Sequence, residues 1–437
     1  MDPNNIQLIG SILFGCAVLH TFFVSKFEHM AHKYPSGSMK ENIFHFLAEV
    51  EVVFGFWAGI LLIFYSVTNG FVVYDESHHA IGGTIKFLED LNYTEPAFVF
   101  VIMCMAGTKP VLLLAEQIIT LTAKLFPFSE KMSFYICALI FGPLLGSFIT
   151  EPAAMTVTAL ILKAKFYDQG MSTKFKYATL GALFVNISIG GTLTNFAAPP
   201  VLMVAAKWHW DSWFMLTHFG YKAVIATIIN ASIITMMFRK ELDGKLVEKS
   251  KNEEGKLTPP WPITLIHLVF MGLVVLTAHH MVFFLGLFLF FIGFADVTQE
   301  YQDKLKLKES LLVGFFLGGL VTLGNLQAWW LQPILTSMGN LPLYFGTTAL
   351  TGITDNAALT YLGSLVELSN DAKYYLVAGA VIGGGLTVIA NAPNPAGFGI
   401  LKKSFGEDGI SPVKLLLAAL LPTSVPLVLF YFLPNLS

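Results

Sequence analysis

Ile149-Thr150-Glu151-Pro152-Ala153-Ala154-Met155-Thr156 and Ile353-Thr354-Asp355-Asn356-Ala357-Ala358-Leu359-Thr360 are two versions of one segment, identical at five of eight positions and acidic at the third in both. Each interrupts an apolar stretch, 133–162 and 341–366, with polar residues. A helix needs about 20 apolar residues to cross the hydrocarbon, so each half of either stretch is expected to be too short to cross alone. Both are read as re-entrant helical hairpins with tips inside the protein, where irregular backbone is tolerated at membrane depth. The likeness continues downstream. Lys176-Tyr177 matches Lys373-Tyr374, and Leu193-Thr194-Asn195-Phe196-Ala197-Ala198-Pro199 matches Leu386-Thr387-Val388-Ile389-Ala390-Asn391-Ala392-Pro393.

Composition agrees with a membrane setting. Of 437 residues 55% are apolar and only 13% charged, about half the roughly 25% of a soluble domain. Lys and Arg number 26 against 29 Asp and Glu, a net charge of −3, which leaves no basic footprint for nucleic acid. Disorder, a coiled coil and a disulfide scaffold are excluded. Cys16, Cys104 and Cys137 lie in apolar runs without paired spacing and read as small buried residues. Met1-Asp2-Pro3-Asn4-Asn5 lacks the cationic start of a cleavable signal.

Spans are expected at 6–24, 43–68, 96–123, 177–206, 213–238, 262–280, 281–294, 310–335, 374–401 and 413–433. Loops rich in Lys and Arg stay cytoplasmic. Four basic loops, at 163–176, 239–256, 304–308 and 402–414, all fall inside when both termini are exterior. The first hairpin then enters from the cytoplasm and the second from outside. The expected fold is an all-α polytopic membrane protein with two inverted repeats, each with a re-entrant hairpin and an interrupted transmembrane helix. It has ten spans plus two hairpins. The first repeat is 1–240, with hairpin 133–162 and interrupted span 177–206. A cytoplasmic linker covers 241–261. The second repeat is 262–437, with hairpin 341–366 and interrupted span 374–401. Inverted repeats broken at matching places point to a secondary transporter with a midplane site.

The breaks carry the chemistry. Gly190-Gly191-Thr192 to Pro199-Pro200 and Gly383-Gly384-Gly385 to Pro395 leave backbone groups without helical partners. Thr150, Thr192, Thr194, Asn195, Thr354, Asn356, Thr387, Asn391 and Asn394 add hard oxygen ligands that suit a hard cation. An ionised Asp at a membrane-helix centre costs roughly 2.5–3.5 kcal/mol, so Glu151 and Asp355 need a cation or a proton. Alternatively, each acid caps the helix that follows it. Lys109 falls mid-span, where it pairs either with Glu151 or Asp355, or with Glu116 seven residues on. The matching span has uncharged Gly324-Asn325-Leu326-Gln327.

Glu49 and Glu51 are expected at an interface, His279-His280 in a solvated turn, and Trp208, Trp210, Trp213 and Trp329-Trp330 as interfacial anchors. Asn92-Tyr93-Thr94 is a glycosylation sequon in an exterior loop, meaningful only in a eukaryotic secretory pathway.

These residues resemble the ion transporter superfamily, which includes sodium/proton antiporters, sodium/dicarboxylate carriers and arsenite carriers. Thr354-Asp355-Asn356-Ala357-Ala358 and Gly384-Gly385-Leu386-Thr387 look like its second-half signature. Glu151-Pro152-Ala153-Ala154 and Gly190-Gly191-Thr192-Leu193-Thr194-Asn195 look like the first-half equivalents. In character the whole chain is similar to its sodium/proton antiporter group. The resemblance implies a scaffold, a moving transport domain, a homodimer and a bacterial inner (plasma) membrane. Whether the motion is an elevator or a rocking one stays open. Dicarboxylate carriers show Ser-Asn-Thr at both tips; Glu151 and Asp355 here argue for a cation instead.

The leading expectation is a Na+/H+ antiporter, not an enzyme and without a cofactor. Na+ and protons would compete at Asp355 and Glu151, with Asn356, Thr354, Thr150, Thr194, Asn195, Thr387 and Asn391 around them. The alternative is a Na+-coupled symporter of a carboxylate or oxyanion with Lys109 as the anion's partner. An intramembrane enzyme using His279-His280 with Glu49 or Glu116 has no recognised spacing to support it.

Overall fold

The computed structural model describes residues 4–75, 79–246, 257–406 and 409–436. Its helices begin with α1 (Asn5–Ala31), α2 (Met39–Ala48), α3 (Val53–Asn69), α4 (Gly83–Glu89), α5 (Thr94–Ala106), α6 (Lys109–Ala123) and α7 (Glu130–Ile149). Next come α8 (Glu151–Lys165), α9 (Thr173–Gly190), α10 (Pro199–Trp208), α11 (Ser212–Met215), α12 (Tyr221–Met237), α13 (Trp261–Leu276) and α14 (Met281–Val297). The last are α15 (Leu307–Gly324), α16 (Ala328–Ser337), α17 (Asn340–Thr351), α18 (Asn356–Ser364), α19 (Asn370–Gly383), α20 (Asn394–Lys402) and α21 (Pro412–Phe432). A short antiparallel ribbon, β1 (Val73–Tyr74) with β2 (Ala80–Gly82), lies between α3 and α4.

Two compact units result. One holds Met1–Phe100, Leu307–Met338 and Tyr361–Leu368; the other holds Val101–Lys306, Gly339–Thr360 and Ser369–Ser437. Each draws on both the 1–240 and the 262–437 segments. Of the linker expected at 241–261, residues 247–256 lie outside the described residues.

In the first unit α3 packs on α1 and α15. Phe54 stands edge-on between Phe14 and Phe316, at 5.6 and 5.2 Å. His20 is buried, with Nε2 2.8 Å from the Leu47 carbonyl and Nδ1 accepting from Trp57 at 3.1 Å.

The second unit holds the hairpin α7–α8 and both interrupted spans. Gly142 faces Thr158 and Gly146 faces Ala154, a pairing symmetrical about Thr150, so α8 doubles back along α7. Small residues allow such close packing where apolar burial gives no preference between helices and lipid. Serine caps start both interrupted spans, Ser172 accepting from the Phe175 amide and Ser369 from that of Ala372. The spans cross where Gly385 lies against the Val185 backbone; no side chain fits there.

Several expectations need correction. The break of the first hairpin lies at the end of α7, which absorbs Pro143 and runs 20 residues, about 30 Å at 1.5 Å per residue. By length and composition α7 can therefore cross alone, although most of it is buried within the unit. The stretch 43–68 is two helices, because the chain leaves helical geometry at Glu49 (ψ 114°). The stretch 96–123 is also two, α5 and α6 meeting at 68° around Gly107-Thr108. The span expected at 281–294 is longer, α14 continuing to Val297. Among the described residues four helices are long and apolar enough to cross a membrane, or up to six if bent pairs count as one span each.

Candidate functional site

A single residue, Thr150, separates α7 from α8, with φ 71° and ψ 151°. Positive φ is a genuine outlier for a β-branched residue and costs of order 1–3 kcal/mol. The turn throws Glu151 into the unit, where it is fully buried. Its Oε2 accepts from Asn391 Nδ2 at 2.9 Å, while Oε1 has no protein partner. Gly191 in the break of the first interrupted span makes this possible, since a Cβ there would collide with Glu151 Oε1.

Asn391 belongs to the other break. One residue earlier, the Ala390 carbonyl accepts from the Asn356 amide at 3.1 Å. The connection between α19 and α20 therefore touches both polar segments, Glu151 through Asn391 and Asn356 through Ala390. Asp355 is half-buried and caps α18, with Oδ1 accepting from the Ala358 amide at 3.0 Å. Asn356 is fully buried with both amide atoms unpartnered, against Gly384. Asn394 donates to the Gly384 and Thr387 carbonyls at 2.7 and 2.8 Å and leaves its Oδ1 free.

Buried polar groups normally find partners. Here Thr150 Oγ1, Glu151 Oε1, Asn356 Oδ1, Asn391 Oδ1 and Asn394 Oδ1 are buried without one. These five belong to the breaks or the residues beside them and are oxygens, the donor type that hard cations take; the Asn356 amide nitrogen there, and Thr158, Thr227, Asn230 and Gln302 elsewhere, also lack partners.

Other candidates are hydrogen-bonded within the framework. Thr194 donates to the Ser147 carbonyl at 2.6 Å, and Thr387 to that of Gly352 at 2.9 Å. Thr192 and Thr354 bond back to their own helices, at Ile189 and Leu350. Asn195 donates to the Trp210 carbonyl and accepts from Ser212. Lys109 is buried at the first position of α6, and among the described residues it makes no ion pair with Glu151 or Asp355. Trp210 is buried among aromatic rings, whereas Trp213 is exposed.

Ser147 was not singled out by sequence. Its hydroxyl donates to the Gly190 carbonyl at 2.7 Å and accepts from the Leu193 amide at 2.9 Å, stitching α7 to the first break. Its place between Gly146 and the acidic segment was the only signal.

Comparison with curated proteins gives no match. Residues 5–433 match the family model described as "Putative Na+/H+ antiporter". With nearly its whole length covered, and apolar helices throughout, the chain belongs to this family of integral membrane antiporters.

Proposed function

We propose that the chain exchanges Na+ for protons at a site centred on Glu151, with Asp355 as the second acid. The observation that carries this reading is the set of orphaned buried oxygens at and beside the breaks, Glu151 Oε1 among them. An unmet buried polar group costs about 1–3 kcal/mol, and a monovalent cation relieves several at once. A proton on the carboxyl relieves fewer. Competition between the two at one carboxylate couples their fluxes. Thr150, Asn391 and Asn356 supply oxygens; Thr194, Thr387 and Thr354 hold the breaks in shape; Asn394 extends the set.

Thr194 and Thr387, matched in the two downstream segments, each donate to a carbonyl just before an acidic segment, Ser147 and Gly352, one position apart in the alignment; this supports two repeats of one design. In this reading the repeats are inverted, with ten spans and two hairpins. The site opens alternately to each side as the unit carrying it moves. The protein works as a homodimer in a bacterial inner membrane, termini outside.

The test is cation-driven collapse of a preset pH gradient in proteoliposomes, screened across Na+, Li+, K+ and Ca2+. Glu151→Gln should abolish the Na+ response while the protein stays monodisperse. An unchanged Na+ response in that variant removes Glu151 from the site.

A further inference from the structure

Lys222 lies outside the site described. It is fully buried at the start of α12, and among the described residues no carboxylate pairs with it. Its Nζ donates to Tyr374 Oη and to Asn435 Oδ1, each at 2.8 Å, and stands 4.7 Å from the Tyr374 ring centre. A buried ammonium held by neutral oxygens depends on each of them, because losing one leaves charge uncompensated.

Asn435 is the middle of three consecutive residues fastened to the same turn. Tyr221 Oη donates to the Pro434 carbonyl, and the Leu436 amide donates to the Thr217 carbonyl at 3.0 Å. That turn, Leu216–Gly220, is a π-helix, a form often found at functional sites. Within it the Tyr221 amide takes the Leu216 carbonyl, five residues back, in place of Thr217. The Leu436 amide serves the carbonyl that the α-helical register would have used. The segment 434–436 thus favours the widened turn over the ordinary one.

The widened turn bears on the first break. Gly220 lies against Leu193, where an added Cβ would come within 3.1 Å of the Leu193 Cα. The Leu193 amide is bonded to Ser147, three residues before Thr150. We propose that Lys222 and residues 434–436 are positioning elements for the Glu151 site, acting through the π turn on Leu193 and so on the tip of α7. The proposal rests on reading Glu151 as the transport site.

The test uses the full chain with Asn435→Ala, Lys222→Met and Lys222→Arg, and a chain ending at Leu433. Hydrogen exchange is followed by mass spectrometry at 189–198 and 216–222, with α3 as control. Asn435→Ala, Lys222→Met and the shortened chain should speed exchange about tenfold in both segments and leave α3 unchanged. Their half-saturating Na+ concentration should rise while the maximal rate holds, and Lys222→Arg should stay nearer the parent than Lys222→Met. Faster exchange confined to 216–222, or none at all, overturns the proposal. If no form of the protein moves Na+, the transport reading fails, and the exchange comparison still decides the coupling between segment and break.

Discussion

Gly191→Ala tests the Glu151 site without touching any residue that contributes a ligand. Gly191 has φ −74° and ψ −4°, so alanine fits its backbone and the perturbation is purely steric. The new methyl would lie 2.6 Å from Glu151 Cγ and 2.9 Å from Cδ, against an ordinary contact of at least 3.4 Å. Cγ must retreat by about 0.8 Å and Oε1 by more, enough to take the 2.9 Å bond from Asn391 beyond hydrogen-bond range if the motion is along it. A hydrogen bond to a charged group contributes about 1.5–3 kcal/mol, and each 1.4 kcal/mol is about tenfold in affinity. The half-saturating Na+ concentration should therefore rise about tenfold to a hundredfold in the proteoliposome assay. Gly272→Ala is the control, since nothing lies within 4 Å of a Cβ there. A Gly191→Ala protein with parental Na+ dependence would refute the placement of Glu151 against the first break.

Asp355→Asn separates capping from ion binding. Asparagine caps a helix as well as aspartate does, so the variant should keep its thermal midpoint yet lose Na+-dependent proton movement. Asp355→Ala should lose both, with about 1 kcal/mol of stability, and full transport by Asp355→Asn removes that residue from the site. Thr150→Gly should raise the thermal midpoint, because glycine adopts φ 71° without strain, while it weakens Na+ dependence through loss of Oγ1. A lower midpoint would show that no strain is stored at this turn.

The sequence by itself determined the helical membrane class, the breaks beside Glu151 and Asp355 and those at 191–198 and 384–393. Those features are local: apolar runs fix helices, and Gly, Pro and polar residues end them. It also made candidates of every polar residue at the breaks, with no means of ranking them. Asn195 and Asn391 look alike in the sequence, but Asn195 reaches Trp210 and Ser212, while Asn391 reaches Glu151 across 240 residues of chain. Ser147, Lys222 and the 434–436 segment became visible only through partners brought close by packing. Tertiary structure alone decided which buried oxygens are satisfied and which are left over, because satisfaction depends on partners tens to hundreds of residues away.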